Sequence, residues 1–167
     1  DRREKIIRLL KEYVKKGYFP HGEGASVPVS KKDPHFDSKR PTTHRILGPN
    51  GALCALAYLI SKSGGEKLVN ELSKTDNHFC VGKDRNEAVM KWILSSGLTL
   101  EECVRIQWPG FAGGRKEREP PGLPVWTPEM ENYAQIQTHL RKVAAELEKN
   151  TKRSLRIALD RLDKAKS

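Results

Sequence analysis

The sequence predicts an all-α protein, built as a small helical domain with a long proline-rich N-terminal arm and a C-terminal helical extension. Three observations predict it. Apolar residues recur at intervals of three and four through several separate stretches. Glycines and capping residues stand at the ends of those stretches. Prolines gather between them, in 18–50 and in 108–128, where a helix cannot continue.

The first stretch is Arg2 to Lys16, where Ile6, Leu9, Leu10, Tyr13 and Val14 form one face and Gly17 supplies a stop. Residues 18–50 follow as an extended arm with Pro20, Pro28, Pro34, Pro41 and Pro49 and no sustained period. Loops of this length tend to be functional. After the turn Gly48-Pro49-Asn50-Gly51, Ala52 to Ser61 is apolar on every side and reads as a central buried helix. Gly64-Gly65 ends it, and a short helix follows from Glu66 to Leu72. Asp84 to Ser95 carries Ala88, Val89, Trp92 and Ile93 on one face, with Asp84 as the expected cap and Gly97 as the stop. Thr99-Leu100-Glu101-Glu102 has the order of a capping box and opens a helix running to about Ile106.

Residues 108–127 read as a Pro/Gly linker, and Thr127-Pro128-Glu129 as a helix start. Beyond it Tyr133, Ile136, Leu140, Val143 and Leu147 repeat at 3, 4, 3 and 4, a heptad stripe that requires burial against the body, a partner helix or a second copy. The stripe lapses at Asn150 and Ser154, and Leu155, Ile157, Leu159 and Leu162 resume it out of phase. The expected organisation is a helical domain over 1–107, the linker, and an extension over 128–167.

The net charge of +10 is unevenly distributed. Residues 1–47 hold 12 Lys/Arg against 6 Asp/Glu, 48–107 hold 7 against 7, and 108–167 hold 12 against 8. Basic flanks around a neutral centre point to an acidic partner, because solubility alone does not require segregation. Three clusters carry the excess: Arg3, Lys5, Arg8, Lys11, Lys15 and Lys16; Lys31, Lys32, Lys39, Arg40 and Arg45; and Lys149, Lys152, Arg153 and Arg156. Such cations neutralise phosphates and release counterions. The second cluster is interleaved with His35, Phe36 and His44, rings suited to stacking on unpaired bases.

Other chemistries have weaker signatures. Cys54, Cys80 and Cys103 form no CxxC pair, and with His21, His35, His44 and His78 they show no zinc spacing, so no metal and no cofactor are expected. The odd number of cysteines suits a reducing compartment, cytoplasm or nucleus. A chain starting at Asp1 rather than Met is the form a processed chain or a fragment takes. Cys54, beside a turn and at a helix start, is the one candidate nucleophile, but its setting, Ala52-Leu53-Cys54-Ala55-Leu56, is that of a core residue, and no catalytic residues are assigned. No apolar run reaches the roughly 18 residues of a membrane span. The basic first helix lacks Trp or Phe on its apolar face, which puts a membrane surface behind nucleic acid as a partner.

Val104-Arg105-Ile106-Gln107-Trp108-Pro109-Gly110-Phe111, with Val125-Trp126-Thr127-Pro128-Glu129, is similar to the strand-and-tryptophan pattern of chromodomains. It departs from that family in lacking the first strand and its cage aromatic, without which methyl-lysine has no cation–π site. The expected function is therefore non-enzymatic binding of nucleic acid, RNA above all or single-stranded DNA, in a nucleocapsid-like role with self-association through the heptad stripe. The alternative is an assembly module that uses the C-terminal helix alone.

Overall fold

The computed structural model describes residues 1–20, 45–48, 51–107 and 133–166. Most of the expected arm (21–44 and 49–50), the linker, and the proposed start at Thr127 lie outside them. About three-quarters of the described residues are helical and none forms a strand. One isolated antiparallel bridge pairs Leu47 with Leu53.

Helix α1 spans Arg2–Lys16, as its periodicity predicts. The Asp1 carboxylate accepts from the backbone N–H of Arg3 at its start, and Gly17 closes it in the left-handed region. Ile6, Ile7, Leu10, Tyr13 and Val14 point into the core.

The central helix begins later than the apolar run suggests. Helix α2 is Ala55–Ile60, with every side chain buried. Residues 52–54 are diverted because Cys54 N–H donates to Ile46 O at 3.0 Å and Gly48 N–H to Ala52 O at 2.8 Å. Asn77 completes this small bridge, since its side chain accepts from Leu47 N–H at 2.8 Å and donates to Leu47 O at 2.9 Å. A π-turn, Ser61–Gly65, leads directly into α3, Glu66–Thr75. Gly65 is required there by space: a Cβ would sit 2.5 Å from the Ile60 side chain.

Helix α4 is Glu87–Ser96, and its cap is Asn86 rather than Asp84. Asn86 Oδ1 accepts from Ala88 and Val89 N–H, while the Asp84 carboxylate turns back to accept from Cys80 N–H at 2.7 Å. Helix α5, Leu100–Gln107, opens with the capping box read from the sequence. Thr99 Oγ1 accepts from Glu102 N–H at 3.2 Å and Glu102 Oε2 from Thr99 N–H at 2.9 Å. Val104–Gln107 is thus helix, not strand, which removes the likeness to a chromodomain over these residues. The buried Gln107 amide joins Phe79 O and Val81 N–H, pinning the 79–81 segment to α5.

Helix α6, Tyr133–Lys149, lies antiparallel along α1. Gln137 donates to Val14 O near one end, and Arg3 donates to Leu147 O at the other. This placement corrects the expectation for the heptad stripe. Ile136, Leu140, Val143 and Leu147 are buried in the same core cluster as Ile6, Leu10 and Leu56; the Tyr133 side chain lies outside the described ones. The α1 face needs an apolar cover, and the stripe provides it within the chain, so those four residues are not free for oligomerisation. Helix α6 is accordingly a core element rather than an appended extension.

Helix α7, Thr151–Lys166, starts one residue after α6 ends. Among its described side chains the buried positions are Ser154 and Ala158, while Leu155 and Ile157 are half-covered and Leu159 is 59% exposed; the Leu162 side chain lies outside the described ones.

Candidate polyanion-binding surface

What sets α7 is a buried guanidinium. Arg3, one of the proposed phosphate contacts, is 0% exposed and leaves that list. Its Nη1 donates to Glu102 Oε2 at 2.8 Å and to Gly97 O at 2.9 Å. Nη2 donates to Glu102 Oε1 at 2.9 Å and to Leu147 O at 2.7 Å, and Nε to Thr151 Oγ1 at 3.4 Å. All five N–H donors of the arginine are used. Glu102 is saturated in turn: besides both Arg3 bonds it accepts from Thr99 N–H and from the Ser154 hydroxyl at 2.6 Å. A charge can be buried when its partners are this complete. Gly97 lets the start of α1 approach closely, with φ at +80° and a notional Cβ only 3.1 Å from Arg3 Cβ.

Burial pushes the Glu102 carboxyl upward, but the bonds from Arg3, Ser154 and the Thr99 backbone, with the charge of Arg3, outweigh it and hold the group below its ordinary range. A depressed folded value gives stability that is present above the unfolded value of about 4.3 and is lost as pH falls through the folded one. Urea titrations between pH 3 and 7 are expected to show the wild-type advantage over Glu102→Gln shrinking as pH drops below about 4. An advantage constant across that range would contradict the assignment.

Around this hub the N-terminal end of α1 meets the α6–α7 junction. Lys5 and Arg8 are exposed on α1, and Lys149, Lys152, Arg153 and Arg156 are exposed about that junction. The first and third clusters are thus carried by elements that touch. Lys16 is exposed yet engaged: its Nζ donates to Tyr58 OH at 3.0 Å and sits 5.2 Å from that ring's centroid. Lys11 pairs with Glu148 at 2.6 Å. Arg45 is half-buried, with its Nε sealed from solvent and unbonded. Lys31, Lys32, Lys39 and Arg40 lie outside the described residues.

Between α1 and α6 runs an open groove of about 460 Å³. Lys11, Lys15, Arg141 and Glu148 supply its charge; of its apolar residues Ala145 is exposed, while Val14 and Ala144 are almost fully buried beneath it. Arg141 belongs to none of the three clusters read from the sequence. Its helical phase, one residue past Leu140 on the α1 side of the stripe, is the signal that could have found it, once the cover of α1 was known.

No known protein family, curated protein or solved structure matches this chain.

The thiols are placed for packing. Burial pushes Cys54 up to about 11, overcoming the backbone N–H groups of Ala57 and Leu56 that lower it. Burial raises Cys103 further and half-buried Cys80 less. A thiolate is the nucleophilic form, so burial disfavours reactivity at Cys54 and Cys103. A thiol-reactive dye is expected to modify Cys54 and Cys103 only as fast as the protein opens; rapid labelling of either in the native state would overturn this. Among the described residues no group of three His, Cys, Asp or Glu is arranged to hold a metal, and no helix is long and apolar enough to cross a membrane.

Proposed function

We propose that the protein binds nucleic acid without catalysing a reaction, engaging RNA or single-stranded DNA through cations on α1 and about the α6–α7 junction. The observation that supports this reading is that the helices bearing the two clusters meet at Arg3. Lys5, Arg8, Lys15, Lys149, Lys152, Arg153 and Arg156 are exposed and have no ion-pair partner among the described residues. They come from opposite ends of the sequence and are borne by helices joined at Arg3. An array of unpaired cations stays electrostatically costly until an anion neutralises it, and a phosphate backbone is a line of such anions.

Self-association through the heptad stripe is not part of this proposal, because that stripe is spent on α1. The test is a fluorescence-anisotropy titration of a single-stranded RNA oligonucleotide of mixed sequence at low and at physiological ionic strength. Binding that weakens steeply with salt supports the reading. Absence of binding at low salt rejects it.

A further inference from the structure

We infer that His139 is a proton-sensitive joint between α5 and α6: in its neutral form it caps the end of α5 and holds α6 against it, and in weak acid that hold loosens. This role belongs to the fold itself and does not depend on nucleic-acid binding.

The joint begins with a carbonyl that the sequence leaves without a donor. Helix α5 is Leu100–Gln107, and the last carbonyls of any helix have no intrahelical partner. For Arg105 O the donor one turn on would belong to residue 109, which is proline and has no N–H. His139 supplies the donor from α6, with Nε2 3.0 Å from Arg105 O. A carbonyl only accepts, so Nε2 carries the hydrogen, and the neutral ring leaves Nδ1 bare. His139 is 8% exposed, so this bond links the two helices where little water can replace it.

Protonation puts a charge on that buried ring without adding a bond to α5, because Arg105 O is already served. Among the described residues the charged groups that act on the ring are Arg105 on α5 and Lys142 and Glu146 on α6. Two of them are cations, and the one carboxylate is already paired with Arg105 Nη1. Burial is the largest influence and disfavours the imidazolium. The charges of Arg105 and Lys142 add to it, against the Arg105 carbonyl and Glu146, and the ring is held below its ordinary range. A depressed histidine gives stability that is complete above the unfolded value of about 6.5 and is lost as pH falls from there through the folded one. The loss carried by Glu102 comes only below about pH 4, so the two windows are separate.

The experiment is urea denaturation of the full chain from about pH 5 to about pH 8, for the wild type and for His139→Gln. Glutamine keeps an N–H for Arg105 O and does not titrate. On passing from the top of that range to the bottom, the wild type is expected to lose severalfold in its folding equilibrium constant relative to the variant. Comparison with the variant cancels the other four histidines of the chain. NMR of the native wild type follows the His139 ring and the Arg105 carbonyl carbon. Both are expected to titrate with one midpoint, below about 6.5, and the carbonyl to stay flat in His139→Gln. Parallel stability curves for the two proteins overturn the joint. A native midpoint at or above the ordinary histidine value overturns it too, as does an Arg105 carbonyl that ignores the titration of the ring. If His139→Gln fails to fold, the two wild-type NMR midpoints decide alone.

Discussion

Replacing Arg3 with methionine is expected to lower the melting temperature by roughly 6–20 °C. The reasoning starts from the fate of Glu102. With Arg3 gone, its carboxylate keeps Thr99 N–H and Ser154 but loses two charge-assisted bonds, and Gly97 O and Leu147 O lose their donors. Breaking a buried pair by removing one partner costs about 3–5 kcal/mol. For a chain of this size each kcal/mol moves the midpoint by about 2–4 °C.

The double variant Arg3→Met/Glu102→Leu separates a buried ion pair from ordinary packing. Removing both charges eliminates the stranded carboxylate, so it is expected to recover much of the loss, although a leucine side chain cannot serve Thr99 or Ser154. Calorimetry of the wild type, both single variants and the double variant decides the matter. Strictly additive losses would mean that the pair is not coupled. A surface role for Arg3 predicts the opposite pattern, with stability nearly unchanged and polyanion affinity reduced.

Reversing charge at Arg153 and Arg156, both to glutamate, is expected to give the largest change in nucleic-acid affinity. Each cation that contacts a phosphate contributes about −0.7 to the slope of log K against log salt for single strands. Losing two contacts is therefore expected to make that slope shallower by about 1.4, with affinity falling similarly for every oligonucleotide sequence. Both side chains are exposed and carry no ion pair among the described residues, so folding is expected to be unaffected. Lys142→Glu is a control. It reverses one charge on the exposed face of α6, away from the groove-lining positions, and is expected to act only through net charge. A salt slope that is the same in Arg153→Glu/Arg156→Glu and wild type would remove the α6–α7 junction from the binding surface.

Much of the helical architecture is legible in the residues. The span of α1 with its Gly17 stop, the capping box at Thr99 and Glu102, and the break near Asn150 all follow from rules that act within a few residues. Structure and expectation part where a local rule has a distant competitor. Ala52 to Cys54 are as apolar as the helix after them, yet the carbonyl of Ile46 and the amide of Asn77 hold this segment and its partner in a bridge. Asp84 is a good cap in isolation, but Asn86 takes that role while Asp84 ties the preceding turn. In α7 the apolar residues Leu155 and Ile157 are only half-covered and Leu159 is exposed. One hydroxyl, that of Ser154, is instead drawn inward by Glu102.

The candidate site is legible only in part. Lys5, Arg8 and the cluster from Lys149 to Arg156 are exposed, as an electrostatic surface requires, but charge type says nothing about depth. By itself the sequence determined that the chain is helical, where α1 and α5 begin, and that positive charge is gathered toward its ends, since each depends on neighbours along the chain or on composition alone. Only the tertiary structure decided that the heptad stripe covers α1, that Arg3 is inside while Lys5 is outside, and that the start of α1 meets the α6–α7 junction. Periodicity defines a face without naming what covers it. A buried arginine, likewise, is permitted only when acceptors from residues 97, 102, 147 and 151 converge on one point.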